Sequence, residues 1–469
     1  MGPTRLSTAA STNLALPLGA VLAPEESYSF RPIHYLGSKL RITGPIIDAI
    51  NELARPNGSA CDLFAGSGTV SLALSAHRPV TAVDIQEYSR VVCSAMLAPV
   101  RGPKSPSAMS LVAAARESEF FKKLSRAVAP LVDYEKECIA EADAGNPEPL
   151  CDFVEYASLL AFDSSSAEAK GRRLATALRS ATKQLAKEGL SADQRAILTR
   201  YYGGVYFSVA QAAELDALLD VAHGLPLRQR DYFLAMVLST ASEIVNTVGK
   251  QFAQPIRPRD AQGQPKRHLT RQIIRDRARE PRDAFLHWAE RYDAVPRASH
   301  RHQTIRADYR DFLKAPSSTP SVVYADPPYT RDHYSRFYHV LETMCLRDNP
   351  TVSTMRLGQR DVMSRGFYRV DRHQSPFCIK SQAPAAFTAL FEGVKRLNAP
   401  LVVSYSPFQS SEGGRPRLMT IDGLVELAEK SFKRVEVRSV GRYAHNKLNQ
   451  TQRNARVFYD AEVLLLCSG

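Results

Sequence analysis

No apolar run in this chain of 469 residues approaches the roughly 18 that a membrane-spanning helix needs. The seven cysteines, Cys61, Cys93, Cys138, Cys151, Cys345, Cys378 and Cys467, are scattered and never spaced as CxxC. An odd, unpaired set argues against a disulfide framework and against zinc, and fits reduced thiols in a cytosolic protein. The chain has no internal repeat and no phosphate loop, because its one Gly-rich turn lacks the GK[ST] ending. No secretory signal is expected. In the stretch 1–30 only Arg5 precedes the apolar run, Pro17 interrupts it, and Leu6 stands where myristoylation would need Ser or Thr. A disordered leader, or a start codon placed too early, is the expectation for 1–30.

The composition that remains is 44% hydrophobic and 23% charged, as in globular proteins. Lys and Arg number 61 against 48 acidic residues, a formal charge of +13, so a polyanion is the natural partner. Three zones follow one another. From 31 to 100 short apolar runs alternate with helical patterns: helices over 46–53 and 69–75, strands over 59–64 and 79–83. The zone 101–299 is helical and polar. In it, Ser208 and Gln211 form a capping box, ahead of an apolar stripe of Ala212, Leu215, Leu218, Leu219 and Ala222. From 300 to 469 strands return, over 304–306, 321–325, 401–405, 434–440 and 457–466. The outer zones share one grammar, so they form a single α/β domain split in sequence by a large helical insertion.

The segment DLFAGSGT at 62–69 lies between a strand and a helix, with Gly66 and Gly68 where the chain turns tightly and a nucleoside could approach the backbone. The next strand ends at Asp84-Ile85, where a carboxylate could meet a ribose diol or simply close a turn. After the insertion a third strand ends at Asp308, a candidate acceptor for an adenine amino group.

The segment VVYADPPY at 322–329 carries the chemistry. A buried strand delivers Asp326 at its carboxyl end, Pro327 and Pro328 keep the following loop extended, and Tyr329 adds an aromatic face. This suits an amine conjugated to an aromatic ring, whose lone pair must be drawn out of plane before it attacks. Asp326 can accept one amino hydrogen and the Pro327 carbonyl the other. Positive charge then grows on nitrogen in the transition state, where a carboxylate is most effective.

With these residues the chain resembles the Dam-type adenine-N6 DNA methyltransferases. The order is the same: an N-terminal cofactor segment, a glycine loop, a target-recognition insertion, then DPPY. HYLGSK at 34–39 matches the family's N-terminal signature. The resemblance implies a Rossmann-like methyltransferase sheet, mostly parallel with an antiparallel C-terminal strand, and S-adenosyl-L-methionine as cofactor. It places Tyr35, Lys39, Asp62, Phe64, Gly66, Gly68, Asp84, Ile85 and Asp308 around the cofactor, and Asp326, Pro327, Pro328 and Tyr329 at the reacting centre. Tyr329 would stack on a flipped base. Segments at 202–208, 246–256, 401–407 and 461–466 look like further family pieces. Asp at the first loop position favours adenine in DNA over cytosine N4 or RNA. The implied partner is double-stranded DNA in the bacterial cytoplasm, with a restriction endonuclease or defence system alongside.

DNA contacts are expected from the basic stretch 250–282, where Arg271 and Arg275 would share a helix face. Others are expected after the catalytic loop, from Arg331, His333, Tyr334 and Arg336, and from Lys447 in a polar loop between the last strands. Tyr338 and Leu341 read as packing groups. Three alternatives stand beside adenine-N6 methylation of DNA: an RNA adenine enzyme, a cytosine-N4 enzyme, and a nucleic-acid-binding regulator without turnover.

Overall fold

The structure is a computed structural model describing residues 30–98, 105–164, 170–296, 299–331, 334–406, 418–440 and 462–469. The expected leader, except residue 30, lies outside the described residues, as do His333, Lys447 and the first part of the strand expected over 457–466. Residues Arg31–Gly469 cluster as one unit.

Its centre is a sheet of seven strands: β1 (Ala60–Asp62), β2 (Val80–Asp84), β3 (Gln303–Arg306), β4 (Val322–Ala325), β7 (Leu401–Tyr405), β8 (Arg434–Ser439) and β9 (Val463–Ser468). A separate hairpin pairs β5 (Thr354–Leu357) with β6 (Arg360–Met363). The order in the sheet is β3-β2-β1-β4-β7-β9-β8. The first five are parallel, and β9 runs antiparallel to both β7 and β8. This is a mostly parallel, Rossmann-like α/β fold with antiparallel C-terminal pairing and helical insertions.

Alternation along the central strands sends residues into two cores. Val323, Ala325, Leu401, Val403 and Leu465 pack on one face. Val322, Tyr324, Val402, Leu464 and Leu466 pack on the other. Both faces are covered, so β4 and β7 read as unbroken apolar runs, as buried parallel strands do. The outermost strand β8 instead carries Arg434, Glu436 and Arg438, charges that discourage further pairing at an edge.

From β1 the chain steps outward to β2 and β3, then crosses back to place β4 on the opposite side of β1. The register sets Asp62 opposite both Ala82 of β2 and Tyr324 of β4. The carboxyl ends of β1, β2 and β4 therefore form one rim at the topological switch point, where open α/β sheets bind ligands.

Between β2 and β3 the described residues are helical. A core of Leu124, Leu131, Phe153, Leu174, Leu178 and Leu185 joins helices Glu119–Asp143, Glu148–Tyr156 and Arg172–Lys187. Helix Leu227–Ile244 packs on helix Glu87–Leu97 beside the sheet, and Arg90 bridges Glu87 and Asp231 there at 2.7 Å.

The expected capping box starts helix Val209–His223: Ser208 Oγ accepts from the Gln211 amide, and Gln211 Oε1 from the Ser208 amide. The expected apolar stripe is buried, but so are Gln211, Glu214 and Asp216 on the other faces. Asp216 is tolerated inside because it accepts the Leu198 and Thr199 amides and the Thr199 hydroxyl. The basic helix runs Arg267–Arg277, and Pro281 opens the next helix.

Candidate active site

A pocket with about 920 Å³ of empty space, mouth included, opens on the switch-point rim. Tyr35, Lys39, Phe64, Asp84, Ile85, Asp308, Asp326, Pro327, Pro328, Tyr329 and Tyr334 all line it. A recess of about 290 Å³ adjoins it, shares Tyr35, Lys39, Phe64 and Asp326, and is lined by Asp62. Segments nearly 300 residues apart in sequence thus meet in one site, because β1 and β4 are neighbours in the sheet.

Lys39, in the short helix Lys39–Ile42, is the hub. Its Nζ lies 3.0 Å from Asp326 Oδ1 and 3.0 Å from Glu462 Oε1. The Tyr329 hydroxyl donates to Glu462 Oε1 at 2.7 Å, and Ser404 Oγ donates to Glu462 Oε2 at 3.0 Å. Burial alone would lower the Lys39 pKa, yet Asp326 and Glu462 hold it well above its ordinary value, so Lys39 stays a cation. Asp326 is shifted up to about 6: burial raises it, Lys39 opposes that, and Glu462 adds to it. Two carboxylates against one ammonium leave the cluster net negative, beside a cavity. That suits a cationic ligand and a reaction that builds positive charge.

Asp84 ends β2 with each oxygen held by the backbone, Oδ2 by the Gly66 amide and Oδ1 by the Gln86 amide, both at 2.9 Å. The turn-closing and pocket-lining readings of this residue thus coexist. Burial raises its pKa above that of a free carboxylate. Asp62 is almost fully buried; Oδ2 accepts from Ser71 Oγ at 2.7 Å, while Oδ1 has no hydrogen-bond partner. Burial pushes Asp62 up to about 7. Asp308 caps helix Tyr309–Lys314 through the Arg310 amide and also lines the pocket.

Gly66 and Gly68 line neither cavity. Both have positive φ, 53° and 75°, which favours glycine. A Cβ on Gly66 would come within 2.5 Å of Tyr35 Oη, and one on Gly68 would strike Met96. What approaches the backbone here is the protein's own side chains. Tyr35 in turn stacks on Tyr338, centroids 4.9 Å apart, which fixes the N-terminal segment to the helix Tyr334–Leu346.

Tyr329 is buried, its ring against Tyr405 at 5.1 Å. Tyr338 and Leu341 are buried packing groups as expected. Phe64 belongs to an aromatic cluster with Tyr309 and Phe377 that walls the pocket.

Of the expected DNA contacts, Arg271 and Arg275 are exposed four residues apart on their helix, and Arg331 is exposed. Elsewhere in the basic stretch Arg257, Arg267 and His268 are also exposed, while other cations are held in ion pairs. Arg259 pairs with Glu148, Asp152 and Glu155, Lys250 with Asp276, and Arg279 with Glu243.

Sequence reasoning missed Glu462 as a site residue, although it stands just before an apolar strand. Its role follows only from the pairing of β9 with β7, which sets Val463 opposite Tyr405 and Ser404 opposite Leu464. His373 and Pro376, also on the pocket wall, carry no sequence signal.

A family model described as D12 class N6 adenine-specific DNA methyltransferase matches residues 35–162 and 285–366. Modification methylase LlaI of Lactococcus lactis subsp. lactis is 32% identical over 109 residues, 23% of this chain. The chain covers only 14% of that protein's length. Over the two stretches that bring Tyr35, Lys39, Asp84, Asp308 and Asp326 to one rim, this chain is similar to the D12 class of adenine-N6 DNA methyltransferases.

Proposed function

We propose that this protein is an S-adenosylmethionine-dependent methyltransferase of the Dam type that acts on the N6 amine of adenine in double-stranded DNA. The observation that carries this reading is Asp326: a carboxylate of the DPPY segment, ion-paired to Lys39 and lining the pocket of the switch-point rim.

The residues fit the cofactor. Asp84 offers a backbone-anchored acceptor for a diol, and Tyr35 and Phe64 supply apolar walls. When bound, S-adenosylmethionine supplies an electrophilic methyl group on a sulfonium. Asp326 accepts an amine hydrogen and stabilises the positive charge growing on nitrogen, while Lys39 holds the carboxylate in place and limits its proton affinity. The Pro327 carbonyl is the second acceptor. Nitrogen gains the methyl group and afterwards loses a proton to solvent, so no protein nucleophile is needed. The Asp326 side chain is only 20% exposed, so the base must leave the duplex to reach it.

In this reading the catalytic domain is split over 31–100 and 300–469, and the helical stretch 101–299 recognises the target. Much of that stretch, 163–284, falls outside the family match, in keeping with a recognition sequence of its own. The setting we propose is the bacterial cytoplasm, as the modification arm of a restriction or phage-defence system. Nucleoside mass spectrometry after incubation with DNA and RNA tests the reaction. N6-methyladenine in DNA is expected; methylation confined to RNA, or found on cytosine N4, would reject it.

A further inference from the structure

Beside the pocket stands a pair of arginines that the reaction does not use. Arg336, in the first turn of helix Tyr334–Leu346, and Arg372, beyond the β5–β6 hairpin, both place their guanidinium over the ring of Tyr368. The distances to the ring centroid are 4.8 and 5.2 Å. Sequence alone marks Arg336 as a DNA-facing cation; it gives no sign of Arg372 or Tyr368. The ring is a fixed platform. Its hydroxyl donates to the Ala253 carbonyl and its amide to Ser364 Oγ at 3.3 Å.

Two like charges on one aromatic ring are unfavourable unless something answers them. Stacking orients a guanidinium and leaves its edge free, but does not neutralise it. Arg336 Nε and Arg372 Nη1 are buried and have no hydrogen-bond partner. The carboxylate adjoining Arg372, Asp371, is committed to Arg369, at 3.1 and 2.8 Å. After burial, Arg336 is the largest influence lowering the Arg372 pKa, so the two cations do feel each other. The histidine packed against Tyr368, His339, is pushed down to about 3 by burial, with Arg372, Arg369 and Arg336 adding to it. Positive potential therefore surrounds this platform, while both arginines and Tyr368 remain partly open to solvent.

We propose that Arg336 and Arg372, stacked on Tyr368, form a phosphate clamp that grips the nucleic-acid backbone next to the target base. The inference rests on the DNA reading above and deepens it. Arg336 follows Ser335 and Arg372 precedes His373, and both of these neighbours line the catalytic pocket. A nucleotide whose base enters the pocket leaves its sugar and phosphates at this rim. Pre-oriented guanidinium forks suit a phosphodiester, which offers paired acceptor oxygens and the missing charge.

The test measures binding of a short DNA duplex across a sodium chloride series, using the full chain and R336Q, R372Q, the double variant and R372K. The double variant is expected to give a log K against log salt slope shallower by about 0.9 for each phosphate lost. R372K keeps the slope at reduced affinity, and every variant keeps the wild-type affinity for S-adenosylmethionine. A second arm uses duplexes with single neutral methylphosphonates flanking an adenine that the enzyme methylates. One position should weaken the wild type and leave the double variant unaffected. If the wild type binds and methylates DNA but the variants keep its slope and its methylphosphonate pattern, the clamp alone is wrong. A wild type that binds no DNA at any salt would sink the clamp and the DNA reading together.

Discussion

Two buried charge clusters in this molecule are built from similar parts and do different things. In the helical region Glu135 pairs with Arg277, their side chains 3% and 0% exposed. Glu135 Oε2 takes the Val209 amide, Arg277 Nη2 donates to the Gly204 carbonyl at 2.8 Å, and Nε to Asn246 Oδ1 at 3.4 Å. The charges cancel and the partners are all protein. At the sheet rim, Lys39 faces both Asp326 and Glu462, the balance is negative, and the Asp326 side chain is 20% exposed to a cavity. Burial is common to both clusters. Charge balance and access separate the pair that holds a fold from the one that can meet a ligand.

That contrast can be broken by substitution, and the largest effect should fall on catalysis. Asp326→Ala is expected to lower methyl transfer by at least about 10²–10³ in single-turnover assays, the scale of losing one preorganised charge-stabilising group. Its DNA binding and thermal melting should change little. A variant with near-normal transfer would remove Asp326 from the reaction.

Arg277→Met should show the converse. It strands Glu135 in the interior, and a loss of about 3–5 kcal/mol is expected in urea denaturation. The rate per folded molecule should hold. A stability loss at Asp326 as large as at Arg277 would erase the distinction.

A smaller effect concerns pH. Asp326 acts as the carboxylate, and its folded pKa is raised to about 6, so activity should fall as pH drops through that value. Glu462 is one of the groups that raises it. Glu462→Gln should therefore move the acid limb of the rate profile to lower pH, and a limb that stays put or moves up would contradict the electrostatic reading of the cluster. Smallest of all, Arg271→Glu with Arg275→Glu should flatten the salt dependence of DNA binding by an amount set by the phosphates released. An unchanged slope assigns that helix to structure.

Much of the frame was legible in the sequence, since alternation and turn chemistry are local. The helix Thr69–Ser75 and the strand Leu401–Tyr405 fall where periodicity sets them. Other features depend on contacts that no local pattern encodes. Helix Val209–His223 reads as amphipathic, yet its polar Glu214 and Asp216 are buried too, Asp216 accepting the Leu198 amide and Glu214 pairing with Arg116 at 2.7 Å. The glycines at 66 and 68 read as a tight turn, but that a Cβ there would strike Tyr35 or Met96 emerges only from the fold. Glu462 and Arg372 reach their positions only through strand register and a long hairpin excursion, so they look like ordinary surface charges until the chain is folded.

The central claim is that the rim joining β1, β2 and β4 is a cofactor site worked by Asp326. Calorimetric titration of the full chain with S-adenosylmethionine, for the wild type and Asp84→Ala, tests it most directly. The account predicts saturable binding to the wild type and at least about tenfold weaker binding to the variant, the equivalent of roughly 1.4 kcal/mol. Absence of binding to the wild type, or equal affinity in the two, would contradict it.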